Sequence, residues 1–273
     1  MKRRRFQVRK PISKTTEVVL MTISVLLIVA FYSAMSYRQH GINPKDTSIP
    51  NFWQFMEGVK RLLGADAAGD YWLLDDTIAT GIRLLTGLAV GVGMSFIIGL
   101  GMGVYPAVEA LFKLPITFLG RIPATAMLAV YFVLFGTELK MYTAMISLSI
   151  LPPLAFSIYG AVRADVSDQA IDKAYTLGAS NFEVIWEVIV QQILPRIIEN
   201  VRLCIGPAMV FLIAAEWATA DVGFGYRLRL QSRLLNMNVV YTYLILLGCF
   251  GIFVDWALLW LRKTVCPWFD LKR

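Results

Sequence analysis

The chain has 273 residues, of which 57% are hydrophobic and only 16% are charged, and its mean hydropathy is +0.61. A soluble domain usually carries about a quarter charged residues, so the composition favours a membrane protein whose apolar surface faces lipid. The net charge of +7 sits largely at the two ends, beside apolar stretches, which is typical of cytoplasmic segments of membrane proteins rather than of nucleic-acid binding. The three cysteines and the single histidine follow no metal-ligand or disulfide spacing, so we expect neither a metal site nor catalytic residues.

The first predicted element is a transmembrane helix over residues 18–37, preceded by a basic segment over residues 1–17. An apolar run of about 20 residues is long enough to span a hydrocarbon core about 30 Å thick. A cleaved signal peptide has a shorter apolar core and a small-residue cleavage site. We therefore expect this helix to be retained, with its basic end in the cytoplasm.

Residues 38–75 are polar enough to leave the membrane and are predicted to form an external segment. Within this segment, apolar residues recur at helical spacing from Phe52 to Leu63, and Pro50 precedes them. This pattern is typical of a short amphipathic helix. The helix either lies on the outer membrane surface or packs on the other spans, and the pattern favours neither arrangement.

Five further spans are predicted within a core over residues 76–262, and a short cytoplasmic tail over residues 263–273 follows. The first of the five contains seven glycines, which allow helices to approach closely in lipid, and prolines interrupt the next two. Six spans in total place both basic termini in the cytoplasm, so the predicted fold class is an all-α, polytopic membrane protein with about six transmembrane helices. The five spans are predicted at residues 77–104, 116–135, 141–159, 200–220 and 239–261.

Residues 163–198, between the fourth and fifth spans, have the pattern of a helix–turn–helix. Gly178 suits the left-handed conformation at a helix end, and Ser180 with Glu183 forms a capping box for a second helix. Pro195 is expected to end or kink that helix. The pattern alone fits either a hairpin that braces the bundle or a docking element for a soluble partner. The predicted apolar faces comprise Val166, Ala170, Ala174 and Leu177 in the first helix, and Phe182, Ile185, Trp186, Ile189, Val190 and Ile193 in the second.

Charged residues within the spans are candidates for the translocation path, because a charge at the bilayer centre costs about 2.5–3.5 kcal/mol on insertion scales. Arg83 and Glu216 are the two candidates, with an interfacial position as the alternative for each. Asp255 is expected to pair with the nearby Arg262 or Lys263. Three further arginines, together with Arg83, are expected to form a positive approach that concentrates anions at the outer mouth; they are Arg227, Arg229 and Arg233.

The helix–turn–helix resembles the cytoplasmic "EAA" loop of ABC-importer permeases, in which E-A-A is followed by three residues and a glycine. The matching residues are Asp172, Lys173 and Ala174, followed by Gly178-Ala179-Ser180, with Asp and Lys in place of the family's Glu and first Ala. Two more segments are similar to permeases of the nitrate, sulfonate, taurine and bicarbonate branch. They are TGIRLLTGLAVGVGMSFIIGLGMGV in the second span and AAEWATADVGFGY from Ala214 to Tyr226.

The resemblance implies a permease subunit in a bacterial inner membrane that forms the translocation path for a small anion of the nitrate, bicarbonate or sulfonate class. It further implies a second permease copy in a homodimer, an external solute-binding protein, and two ATPase subunits that bind ATP and Mg. The chain lacks the G-x-x-x-x-G-K-[ST] phosphate loop, so we expect ATP hydrolysis in the partner subunit. The residues implied in coupling to the ATPase are Asp172, Ala174, Gly178, Ala179, Ser180, Glu183 and Pro195.

Three other classes of protein remain as alternatives. A secondary transporter would need ion sites at mid-membrane and often has internal repeats, and no repeat is visible. A membrane-embedded enzyme would need a nucleophile with a base, or a metal cluster. A structural or sensory membrane protein would bind no ATPase.

Overall fold

The computed structural model describes residues 12–44, 46–64 and 71–270, and these residues form helices joined by short turns. Most of the predicted basic segment at the N-terminus and the last three residues of the predicted tail lie outside this description. The helices are α1 (Lys14–Ile42), α2 (Phe52–Leu63), α3 (Trp72–Val104), α4 (Pro106–Leu119), α5 (Leu128–Phe135), α6 (Leu139–Asp165), α7 (Asp168–Thr176), α8 (Asn181–Glu183), α9 (Gln191–Thr219), α10 (Phe224–Arg233), α11 (Met237–Val265) and α12 (Pro267–Asp270), with a π-helical segment (Val184–Val190) joining α8 to α9.

Five helical runs in the described residues are long and apolar enough to cross a membrane. They are α1, α3, α6, the continuous run Asn181–Thr219, and α11. Helix α1 extends beyond the predicted bounds of 18–37 at both ends. At its start, the Ser13 side chain caps the first turn by accepting a hydrogen bond from the Thr16 N–H. The predicted fold class, an all-α polytopic membrane protein, is confirmed.

Helices α3 and α6 form the centre of the bundle and run in the same direction. A Cβ added at Gly87 would lie 2.5 Å from the Ile146 Cβ, and one at Gly103 would lie 2.6 Å from the Val162 Cβ. The two backbones therefore touch along most of their length, as the glycine content predicted. The residue numbers of the contacting pairs increase along both helices together, so the two helices are parallel. The chain therefore has to cross back between the end of α3 and the start of α6.

The returning crossing is a broken helix, as expected from the prolines that interrupt the predicted span over residues 116–135. Helix α4 ends at Leu119, turns occupy residues 120–127, and α5 starts at Leu128. The cause is local: Pro123 has no N–H to donate and disfavours a helical conformation at Ile122. The Tyr159 hydroxyl donates to Glu109 at 2.7 Å, and a Cβ on Gly120 would lie 3.1 Å from Pro152, so α4 runs antiparallel to α6 and six crossings remain.

The predicted fifth span, over residues 200–220, is the second half of a longer helical run that begins at Asn181. Pro195 is buried inside α9 and does not end the helix. The π-helical segment Val184–Val190 directly precedes α9. Local π-helical adjustments of this kind accommodate a proline inside a long membrane helix, which explains why the helix continues.

Helix α2 combines features of both arrangements expected for the external segment. Its Gly58 face packs on α11, where an added Cβ would lie 2.5 Å from the Asn238 carbonyl oxygen, and Leu62 is buried beside it. Its opposite face exposes Phe52 and Trp53. One face is therefore fixed to the bundle, while the other presents aromatic side chains at the surface.

Candidate functional site

The helix–turn–helix between α6 and α9, here called the hairpin (residues 166–190), has a turn fixed by backbone hydrogen bonds. Gly178 has a φ of +89°, and its N–H donates to the Tyr175 carbonyl at 3.0 Å. The Ala179 N–H donates to the Ala174 carbonyl at 3.1 Å. These two bonds form a Schellman motif, which confirms the left-handed glycine predicted at this position.

The second helix of the hairpin starts with the predicted capping box. The Ser180 hydroxyl accepts from the Glu183 N–H at 3.3 Å, and the Glu183 carboxylate accepts from the Ser180 N–H at 2.7 Å. The Tyr175 hydroxyl donates to the Asn181 side-chain oxygen at 3.0 Å and joins the two helices across the turn. The hairpin is therefore a defined unit rather than a flexible linker.

The hairpin packs on the bundle with one face and exposes large apolar side chains on the other. Ala174 and Ala179 pack against the main core, as expected for inner residues. Leu177 and Phe182, which were predicted on the apolar faces of the two helices, are 80% and 69% exposed. Leu177 points outward because the helix has already ended there. The exposed apolar side chains of the hairpin, here called the hairpin patch, are Tyr175, Leu177, Phe182 and Trp186.

Both long helices that flank the hairpin are tied to its base. Arg196 of α9 pairs with Asp165 at the end of α6, with an N···O distance of 2.9 Å. The π-helical segment carries Ile189 and Val190 into the core. Asp172 lies exposed on α7, away from this packed side. The hairpin is therefore continuous with two long helices that are joined to each other at its base.

A second group of polar residues is buried at the opposite end of the bundle. Glu216 of α9 has no exposed surface. It accepts hydrogen bonds from Arg83 at 2.8 Å, from Thr80 at 2.9 Å and from the Gly225 N–H at 2.9 Å. Arg83 also donates to the Val222 carbonyl at 2.7 Å. The two predicted path candidates thus form one ion pair, and their role in the path remains a prediction.

Asp76 is the central residue of this group, and the sequence interpretation missed it. It is fully buried and accepts from Arg227 Nε at 2.8 Å, from the Tyr243 hydroxyl at 2.7 Å and from the Gly223 N–H at 2.9 Å. A signal was available, since Asp76, Thr80 and Arg83 are spaced by four and three residues and share one helix face. The network holds α10 against α3, α9 and α11.

Two of the three arginines of α10 are engaged by other groups of the protein. Arg227 is engaged by Asp76, and Arg229 donates to the carbonyls of Trp217 at 2.7 Å and Ala220 at 2.9 Å. Arg233 is exposed at the end of α10. Two of the three therefore stabilise the structure around the end of α9, and the positive approach for anions stays a prediction.

The pairing predicted for Asp255 is also wrong. Asp255 contacts Arg202 at 3.3 Å, whereas Arg262 contacts Glu199 at 2.8 Å. The partners are on α9 because α9 and α11 pack side by side at this end, which the local spacing along α11 does not reveal. In the described residues, no group of three or more histidine, cysteine or acidic side chains is placed to hold a metal ion.

A bundle centred on two parallel helices, with one broken crossing and five helical runs long enough to cross a membrane in the described residues, is the architecture of a polytopic helical membrane protein. The chain belongs to the family described as "Binding-protein-dependent transport system inner membrane component", which it matches over residues 77–265. It is a permease subunit of an ABC importer, as the sequence resemblance predicted, and permeases of this family generally work with an ATPase and a binding protein.

Similar proteins include permeases of the expected branch. The chain is 27% identical over 265 residues to the taurine transport system permease protein TauC of Escherichia coli K12, with 97% of this chain and 94% of TauC covered. It is 23% identical over 186 residues to SsuC of Bacillus subtilis 168, a permease named for aliphatic sulfonates transport, covering 68% of this chain and 67% of SsuC. A solved structure of the inward-facing MetNI methionine ABC transporter has the same fold, with a TM-score of 0.57, 18% identity, and coverage of 71% of this chain and 97% of that chain.

Proposed function

We propose that this permease forms the translocation path of an ATP-driven importer for a small sulfonate-type anion. The observation that carries the proposal is the similarity to TauC, which extends over nearly the full length of both chains. SsuC, named for aliphatic sulfonates, supports the same class of substrate. Nitrate and bicarbonate belong to the wider class expected from the sequence and serve as comparison substrates.

The proposed assembly contains two copies of this chain, two ATPase subunits that bind ATP and Mg, and an external solute-binding protein that delivers the anion. The hairpin and both termini face the cytoplasm, while α2 and α10 lie on the outer side. The basic N-terminal segment supports this orientation. ATP hydrolysis belongs to the partner subunits, and this chain supplies the path and the coupling surface.

The hairpin is the proposed docking element for the ATPase. Leu177 and Phe182 are exposed beside the polar residues that cap the turn, and apolar side chains in such a position often mark a binding surface. A short helical element of this kind fits into a groove of a partner. The Asp172 side chain forms no hydrogen bond or ion pair with another described residue, which leaves its charge available to the partner. Closure of the ATPases would move α6 and α9 through the base of the hairpin.

The buried network at the outer end supports a positioning role for the path candidates. Arg83 and Glu216 bind the loop before α10 from both sides, through Val222 and Gly225. We propose that Arg83 and Glu216 hold α10 at the outer end of the path. Their proposed role is to position this helix and not to bind the anion.

Competition among substrates tests the proposed function. The assembled transporter in proteoliposomes, with its binding protein outside, is expected to take up radiolabelled taurine. Excess methanesulfonate is expected to compete strongly, and methionine should not compete. Uptake of methionine without uptake of taurine would contradict the proposed substrate class. Taurine uptake that persists in the absence of ATP would instead favour a secondary transporter.

A further inference from the structure

Arg121 lies in the break between α4 and α5, at the middle depth of the bundle. Its neighbour Gly120 is packed on Pro152, with 3.1 Å between an added Cβ and the Pro152 Cβ. Pro152 has 13 residues of α6 on either side, which places it about 20 Å from each end at a rise of 1.5 Å per residue. Arg121 is therefore a cation near the membrane centre.

The Arg121 side chain lines a cavity of about 570 Å³ between the broken helix, α6 and α9. Arg121 is exposed, and its side chain forms no ion pair or hydrogen bond with any described residue. Arg83 of α3 and Arg227 of α10 differ in this respect, since each is paired with a buried carboxylate. The remaining cavity wall includes Ser149, Pro153 and Pro207.

An unpaired arginine at this depth does not face lipid without a large cost. Ionisable residues in spans face a bundle interior or a water-filled cavity almost without exception. An arginine near either end of a span reaches the interface by extending its side chain, but one at mid-depth is too far from both. The side of the molecule that carries Arg121 is therefore the side turned toward water, which in a permease is the translocation path.

A second cavity, of about 260 Å³, continues from the first toward the hairpin end. It shares Ser149, Pro153 and Pro207 with the first cavity and adds Ser157 and Asn200. The Asn200 side-chain nitrogen is buried and has no hydrogen-bond partner among the described residues. Ser149, Ser157 and Asn200 thus place polar groups along the groove between α6 and α9, whose other lining residues are mostly apolar.

We propose that Arg121 contacts the transported anion at the middle of the path and determines selectivity for oxyanions. A guanidinium group presents planar, paired N–H donors that match the oxygens of a sulfonate or carboxylate. Broken helices at mid-membrane are a recurrent way to build such sites. The inference rests on the proposed function and adds to it the residue that recognises the anion.

Transport of taurine by variants of the complete transporter provides the first test. Arg121→Gln is expected to lower taurine uptake at least tenfold, while ATP hydrolysis stimulated by the binding protein persists. Arg121→Lys, which keeps the charge but loses the paired geometry, is expected to restore part of the uptake. Arg61→Gln, which removes an exposed charge on α2, is the matched control and should transport at the parental rate. Parental uptake by Arg121→Gln would overturn the proposal.

A second test does not depend on the substrate. In a background with the three native cysteines replaced by alanine, Ser149→Cys places a thiol in the cavity. The measured quantity is the ratio of its reaction rates with the anionic sulfonatoethyl and the cationic trimethylammonioethyl methanethiosulfonates. Adding Arg121→Gln is expected to lower this ratio about tenfold, because a nearby positive charge attracts one reagent and repels the other.

The outcomes separate the inference from the proposed function. An unreactive thiol, or a ratio that Arg121→Gln leaves unchanged, shows that the cation does not act on a water-filled cavity and overturns the inference. If the parental transporter does not carry taurine while the ratio falls as expected, the sulfonate substrate is wrong and the anion site at Arg121 stands.

Discussion

Replacing Leu177 by serine should weaken binding of the ATPase without destabilising the permease. The Leu177 side chain is 80% exposed, so the fold gains little from it. Burying a whole leucine side chain is worth about 1.5–3 kcal/mol, so burial of the exposed fraction in a groove of the ATPase contributes about 1.2–2.4 kcal/mol. Because 1.4 kcal/mol corresponds to a tenfold change in Kd, Leu177→Ser is expected to raise the Kd for the ATPase roughly 7- to 50-fold.

The assay titrates purified ATPase against the permease in nanodiscs and records the Kd together with the Tm of the permease. Leu234→Ser is the matched control, because Leu234 is also exposed, at 58%, but lies at the far end of the bundle. Both variants should keep the parental Tm. A Kd of Leu177→Ser within twofold of the control would refute the docking role of the hairpin patch.

Three further predictions follow from contacts at other positions. In Gly178→Ala, the added methyl group meets open space, but the alanine has to adopt a left-handed backbone at a cost of about 1–2 kcal/mol. Amide exchange of the hairpin should therefore become faster, and unchanged exchange would contradict the assigned turn. Gly87→Ala forces a Cβ to within 2.5 Å of Ile146 and should lower the Tm by an overpacking cost of about 1–3 kcal/mol, whereas Gly93→Ala, with nothing within 4 Å, should not lower it. Tyr243→Phe removes a hydrogen bond to the buried Asp76 carboxylate, worth about 1.5–3 kcal/mol, and its failure to lower the Tm would argue against the network.

The sequence was most informative where structure is set by local chemistry. The turn at Gly178 and the capping box of Ser180 and Glu183 depend on residues only a few positions apart, and both are present as predicted. Helical periodicity also places Leu177 on an apolar face, but it does not show whether that face packs on the bundle or is exposed. The structure shows that Leu177 follows the last residue of α7 and is exposed.

Hydropathy located the third crossing, and its prolines indicated an interruption, but neither gives the geometry of the break. Residues 116–135 are mostly apolar, so their composition alone resembles that of a continuous span, while Gly120 and Pro123 determine the actual geometry. The same averaging hid Arg121, a single charge inside an apolar stretch. Its depth became apparent only from the contact between Gly120 and Pro152.

Pairs between side chains that are far apart in the chain could not be predicted from the sequence. Asp76 lies near the start of its span and resembles an ordinary flanking charge. Its partner Tyr243 lies 167 residues away, and nothing in one sequence links the two. Arg83 and Glu216 were each noted as unusual, but their pairing follows only from the packing of α3 against α9.

The central claim is that this permease imports its substrate with energy from ATPases that dock on the hairpin side. The side of the membrane on which ATP is required tests this claim most directly. Proteoliposomes carrying the assembled transporter receive the loaded binding protein on the outside and radiolabelled taurine as substrate. The account predicts that taurine accumulates when ATP is enclosed in the lumen and not when ATP is supplied only outside with the binding protein. Accumulation without luminal ATP, driven by an ion gradient alone, would contradict it.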